Sequence, residues 1–299
     1  MNFACNISFA SLILFFSFSL NAQTPSSYEK EMQLWQQKRI QALKDQNGWI
    51  NLTGLFWLKP GKNSFGSAPT NDFVYQHKNM PSKAGYFLWE NQQVYWVSNS
   101  GISIKINDSL ITKALVFEEG KNQAPLMALG SLRWNIIQRE EKIGVRLRDL
   151  ASVVLTSFNG TERFALDSNL KLLAHLEPAQ QNKLLIANVL GQISPLASPG
   201  KLVFNIKGTT YTLDALEEGD ELFILFGDAT SGKETYPAGR FLYTNKPDAN
   251  GNTIIDFNKA FNPPCAFTKF ATCPLPPKQN ILPIAIKAGE KIYHSNSLK

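Results

Sequence analysis

Arg240, Asp256, Lys259 and Glu290 are the residues of this chain best suited to acid–base work on an anion. A guanidinium or ammonium group can hold negative charge, and a carboxylate can take up or release a proton. They cluster in the C-terminal third. Tyr236-Pro-Ala-Gly-Arg240-Phe-Leu enters a strand, Asp256-Phe-Asn258-Lys259 leaves the next, and Pro247-Asp-Ala-Asn-Gly251 between them reads as a hairpin loop. If residues 240–244 pair with 253–257, Arg240 and Asp256 meet at one end of that hairpin, where a bidentate pair is strong. Asp256 or Glu290 then serves as general base and Arg240 or Lys259 stabilises a developing anion, with Tyr236, Asn258 and Asn262 binding substrate. The same residues have structural work available. An Arg–Asp pair can pin a loop, and Asn258, Asn262 and Asn280 can bond the backbone groups of irregular chain.

Residues 256–277 are the most unusual stretch. Pro263, Pro264, Pro274, Pro276 and Pro277 exclude an ordinary helix or central strand between residues 262 and 277, because proline has no N–H and a fixed φ. The phenylalanines argue against disorder, so a long wrapped loop is expected. It contains Cys265 and Cys273. In an oxidising compartment they suit a disulfide, with two buried thiols or a reactive thiol as the alternatives.

Other chemistries lack their residues. His77, His175 and His294 form no i, i+4 pair, so no zinc signature exists, and there is no Gly-x-Ser-x-Gly elbow. Gly227-Asp-Ala-Thr-Ser-Gly232-Lys233-Glu234 resembles a phosphate-binding loop, but Glu234 stands where Ser or Thr would hold magnesium, and Pro237 follows. A polar turn is expected there. Nothing in the pattern asks for a cofactor or a metal.

Residues 7–20 are apolar, small or hydroxyl-bearing, and Ala22 offers a cleavage site. This suits a signal peptide over residues 1–22 and an exported, periplasmic or extracellular protein with no stable span after cleavage. The net charge of +6 is spread over 30 basic and 24 acidic residues with no cluster, which argues against a nucleic-acid partner.

An N-terminal helix is expected over residues 27–44, within a segment 23–48 that Asn47-Gly48 ends. Beyond it, apolar residues alternate with polar ones, as in Ile143, Val145 and Leu147 against Gly144, Arg146 and Arg148. Short strands separated by turns describe a mainly β chain over residues 49–299, an antiparallel sandwich or open barrel. Two sub-sheets could divide near residues 120–130.

Several strings resemble the bacterial family catalogued as domain of unknown function 1684. They are Tyr236-Pro-Ala-Gly-Arg240-Phe-Leu, Asp256-Phe-Asn-Lys-Ala-Phe-Asn-Pro-Pro-Cys265, Ala271-Thr-Cys-Pro-Leu-Pro-Pro and Ala288-Gly-Glu-Lys. Trp49-Ile-Asn-Leu-Thr-Gly-Leu-Phe-Trp-Leu-Lys-Pro-Gly, Phe65-Gly-Ser, Arg139 and Val145-Arg-Leu-Arg-Asp149 are similar to its earlier parts. The family implies no reaction, substrate or cofactor. Two functions therefore remain open: a hydrolase-like enzyme on a small anionic substrate, or a non-catalytic module binding a small anion or a glycan, with Trp57, Trp89 or Trp96 as stacking platforms. A purely structural role for the strings is the third reading.

Overall fold

The protein is described by a computed structural model covering residues 26–121 and 124–294. The expected signal peptide lies outside the described residues. The first element is α1 (Ser27–Lys44), where Ser26 and Glu29 form a reciprocal capping box: the Ser26 hydroxyl accepts from Glu29 N at 3.1 Å, and Ser26 N donates to the Glu29 carboxylate at 2.6 Å. Met32 and Leu43 are the buried residues of this helix. Replacing Ser26 with Ala should cost about 1 kcal/mol, read as a lower thermal midpoint, because the Glu29 N–H loses its side-chain acceptor and the reciprocal box is broken. An unchanged midpoint would show that tertiary contacts alone hold the helix start.

The rest is mainly β, and nearly all strand pairs are antiparallel. The chain runs through β1 (Leu52–Trp57), β2 (Gly61–Gly66), β3 (Phe73–Val74), β4 (Gly85–Glu90), β5 (Gln93–Ser98), β6 (Ile104–Ile106), β7 (Ser109–Ile111), β8 (Lys113–Glu118), β9 (Met127–Leu129), β10 (Leu132–Arg139) and β11 (Lys142–Asp149). These make two sheets, ordered β1-β11-β10-β9-β6-β7 and β3-β2-β4-β5-β8, and only the short β2–β3 pair is parallel. Alternation sends Trp134, Ile136, Val145 and Leu147 from one sheet against Phe65, Phe87, Trp96 and Val116 from the other. Trp96 is fully buried in this core, with Phe87 edge-on at 4.9 Å, so it is no surface platform; Trp89 packs against the same core.

After a short helix α2 (Val153–Ser157) come β12 (Lys171–Pro178), β13 (Lys183–Ala187), β14 (Ile193–Ala197), β15 (Gly200–Ile206), β16 (Thr209–Glu218), β17 (Glu221–Phe226), β18 (Arg240–Asn245) and β19 (Asn252–Asp256). Six of them form a curled sheet ordered β18-β17-β16-β15-β12-β19, and β13 and β14 make a separate hairpin. The expected hairpin between residues 240–244 and 253–257 is not a ladder. β18 pairs with β17 and β19 with β12, so these strands are the two edges of a nearly closed barrel. Their edges meet through side chains: Thr244 Oγ1 lies 3.0 Å from Thr253 Oγ1 and donates to Ile254 O at 2.6 Å. Leu202, Phe204, Ile224, Phe226, Leu242, Ile255 and Phe257 fill the interior. The change from the first core to this one comes after Asp149, later than residues 120–130, which lead from β8 into β9 of the other sheet.

Residues 257–290 wrap the barrel with three 3₁₀ turns, Phe257–Lys259, Pro264–Ala266 and Lys278–Asn280. The middle of this segment covers the barrel's outer face, where Ala271 and Cys273 pack on Leu216, Phe223, Leu225 and Phe241. Asn280 anchors its end by donating to Asp214 O at 2.9 Å and Leu225 O at 2.8 Å. No helix among the described residues is long and apolar enough to cross a membrane.

Candidate functional site

Arg240 is sealed, with 1 % of its surface exposed. Its partner is Asp228, not Asp256: Arg240 Nη2 donates to Asp228 Oδ2 at 2.6 Å and to Ile286 O at 2.9 Å, while Nη1 donates to Ala288 O. Asp228 also accepts from Thr230 N at 2.7 Å and Thr230 Oγ1 at 2.5 Å. The run that mimics a phosphate loop is thus a turn whose aspartate fastens β18 to residues 286–290. Geometry explains the partner. Arg240 opens β18 beside Phe226, the last residue of β17, so the turn leaving β17 reaches it, whereas Asp256 ends a strand on the opposite edge.

Asp256 is buried and accepts the Tyr28 hydroxyl from α1 at 2.9 Å on both oxygens, together with Asn258 N at 3.0 Å. Burial first, then this carboxylate, raises the Tyr28 hydroxyl. Asn258 ties the turn to Asp167, accepting its N–H at 3.0 Å and donating to its carbonyl at 2.8 Å. Lys259 Nζ meets Glu31 at 2.7 Å, which lowers the Glu31 carboxyl. Glu290 accepts Asn262 N at 2.7 Å and Arg39 Nε at 3.3 Å, and Asn262 Nδ2 donates to Lys291 O at 2.7 Å. Tyr236 is half-buried, its hydroxyl raised by burial and by the neighbouring Cys265 and Cys273. These residues share a region but not a reaction centre, and most of their polar atoms have protein partners. Asp256 and Lys259 do border a cavity of about 350 Å³ with Glu31, Trp35, Lys171 and Glu221.

A second cavity, of about 420 Å³, adjoins it across Tyr243 and Phe261, whose rings stack at 5.9 Å and 12°. Here the outer face of the first half meets the wrapped segment. Its walls include Arg39, Arg139, Phe223, Phe241, Tyr243 and Cys273. The Arg39 guanidinium lies 4.4 Å from the Phe261 centroid, and Arg139 Nε donates to Thr272 Oγ1 at 2.9 Å. Arg146 stands over Trp49, another wall residue, at 4.8 Å.

Among the described residues, Arg163 Nη1 and Arg240 Nε are single buried nitrogens without a partner, and Arg146 has two. It is 6 % exposed, yet its Nε and Nη2 have no hydrogen-bond partner. Burial pushes its guanidinium down to about 9, with Arg139 and Arg148 adding like-charge repulsion. Arg148, next on the same face of β11, is satisfied by Asn135 Oδ1 at 2.9 Å, Asn47 O at 3.2 Å and Gly48 O at 3.3 Å. The carboxylate lining this cavity is Glu218, which, after burial, raises the Tyr243 hydroxyl.

Cys265 and Cys273 are free thiols in this structure, so the disulfide expected from the sequence is not formed. Each sulfur instead accepts the other residue's backbone N–H, Cys265 N to Cys273 Sγ at 3.0 Å and Cys273 N to Cys265 Sγ at 3.3 Å. The hydrogen bond from Cys273 lowers the Cys265 thiol and correspondingly raises that of Cys273. Among the described residues no group of three or more His, Cys, Asp or Glu is placed to hold a metal ion.

The sequence pattern pointed to neither Arg146 nor Arg39. Period-two alternation places Arg146 and Arg148 on the outward face of β11, which for an isolated sandwich means solvent. The available signal was two arginines at i, i+2 flanked by apolar residues, beside Trp49 in the preceding segment.

Among solved structures, the chain is similar to an uncharacterized protein of Haloarcula marismortui determined by solution NMR. The two are 26 % identical, the likeness covers 46 % of this chain and 78 % of the other, and the TM-score is 0.39. A likeness to the FhaA FHA domain, solved with the intracellular domain of Rv3910, has 14 % identity, covers 31 % of this chain and 97 % of the other, and has a TM-score of 0.22. No curated protein matches the chain. Residues 156–291, which hold the barrel and its wrapped segment, match the family model described as protein of unknown function (DUF1684), and this part of the chain resembles that family.

Proposed function

We propose that this protein binds a small anionic molecule with a flat apolar body in the cavity walled by Arg39, Arg139, Tyr243 and Phe261. The observation that carries the reading is the cavity itself, where Arg39 and Arg139 stand among aromatic walls, with Arg146, a buried guanidinium with two unpartnered nitrogens, packed against the wall residue Trp49. An uncompensated buried charge costs several kcal/mol, which an anion in the adjoining cavity would offset in part through space, while each charge-assisted hydrogen bond from Arg39 or Arg139 would contribute about 1.5–3 kcal/mol. Phe223, Phe241, Phe261, Tyr243 and Trp49 supply the apolar walls expected of a small-molecule site. Binding is favoured over hydrolysis because Asp256 and Glu290 are engaged with Tyr28, Asn258, Asn262 and Arg39, leaving neither as a free general base. Export belongs to the same proposal and rests on the apolar run at residues 7–20.

Calorimetry with 2-naphthoate, naphthyl phosphate and the neutral 2-naphthalenemethanol tests this. The anions should bind with Kd of roughly 10–500 µM, and the alcohol about tenfold or more weaker. Equal affinity for the alcohol, or no binding of either anion, refutes the reading.

A further inference from the structure

The thiols beside this cavity carry a second inference. Cys273 and Pro264 line it, Cys265 follows Pro264 in a 3₁₀ turn, and residues 266–272 loop out between the cysteines. The base of the loop is held by the two reciprocal N–H···S bonds, so the sulfurs are already neighbours. Those amides favour negative charge on sulfur, and the unpartnered Arg146 adds positive potential that the thiol pair senses. A staple that served only the fold would need neither a cavity beside Cys273 nor arginines along its walls.

We propose that Cys265 and Cys273 carry out reversible thiol–disulfide exchange with a small carboxylate-bearing disulfide admitted to the Arg39–Arg139 cavity, an inference that rests on the anion-binding reading of that cavity. One cysteine sulfur, as thiolate, attacks a sulfur of the disulfide RSSR. The S–S bond breaks, and RS⁻ leaves and takes up a proton as RSH. The second cysteine sulfur gives its proton to solvent, attacks the mixed disulfide and expels the other RS⁻, which is protonated in turn. Two protein thiols are oxidised to one disulfide, and RSSR is reduced to two RSH. Added thiol runs the sequence backwards.

Reduced protein should be reacted at neutral pH with dithiodiglycolate, bis(2-hydroxyethyl) disulfide and cystamine, anionic, neutral and cationic disulfides of similar length. Alkylation and mass spectrometry then read the free thiols. Each rate is divided by that of dithiothreitol with the same disulfide, which removes differences in the leaving thiol. Dithiodiglycolate should be favoured over the neutral compound by about tenfold and cystamine disfavoured, with both effects shrinking as salt is added. Arg139→Gln should lower the anionic preference severalfold; because the salt series uses the unaltered protein, the test survives a variant that fails to fold. Cys265→Ser and Cys273→Ser should each stop at the mixed disulfide. Thiols inert to all three disulfides, or normalised rates indifferent to charge, overturn the proposal. Inert thiols in a protein that still binds 2-naphthoate overturn the exchange alone, whereas charge-indifferent oxidation without 2-naphthoate binding overturns the cavity reading as well.

Discussion

Replacing Arg146 with methionine should weaken binding of 2-naphthoate by roughly 5–30-fold while leaving thermal stability unchanged or raised. The loss corresponds to about 1–2 kcal/mol, the scale of a charge–charge attraction across roughly 10 Å at an effective dielectric of about 20. Stability should not fall, because the guanidinium is buried with unpartnered Nε and Nη2 and sits among Arg139 and Arg148. An apolar side chain of similar length removes that desolvation cost and keeps the packing on Trp49, losing a cation–π contact of about 0.5–1 kcal/mol. The two readouts moving in opposite directions distinguish a charge that attracts the ligand from a structural residue. Arg146→Lys keeps the charge, so it should recover most of the affinity. A variant whose midpoint drops by more than about 5 °C with affinity unchanged would remove Arg146 from the site and make it part of the scaffold.

Asp228→Ala should be the most destabilising of the charge substitutions considered, at about 3–5 kcal/mol. It strips the partner from Arg240, whose guanidinium is almost fully enclosed between Phe226 and the carbonyls of residues 286 and 288. For a chain of this size the thermal midpoint should fall by roughly 6–20 °C. Pairing Asp228→Leu with Arg240→Met should recover most of the loss, because the cost comes from leaving one charge alone rather than from losing the pair. Asp256→Asn is the control: it should show little coupling to Arg240 in a double-mutant cycle, since its partners are Tyr28 and Asn258. Strong coupling between Arg240 and Asp256 would restore the hairpin pairing that the strand order excludes.

Much of the architecture was legible in the chain. The 27–44 helix follows from the spacing of Tyr28, Met32, Trp35 and Leu43, and the β character from the alternation around Trp134, Val145 and Phe204. Asn280, singled out as a backbone-satisfying residue, does that work on Asp214 and Leu225. The wrapped course of residues 256–277 follows from its prolines. What misled was proximity along the chain. Arg240 and Asp256 are joined by one loop, and a loop that short suggests a ladder, but β18 pairs with β17 and β19 with β12, and the curl of the sheet brings these two edges together through side chains.

The sequence by itself determined which segments could be helix, strand or irregular wrap, because those choices are set by local dihedral limits and by the period of apolar residues. Only the tertiary structure decided which charges lost their water. The face of β11 that bears Arg146 and Arg148 would be solvated on a lone sandwich. It is buried because Trp49 and the Cys265–Cys273 loop close over it, and that long-range contact, rather than any motif, makes Arg146 an unpaired charge packed against Trp49, a wall residue of the cavity.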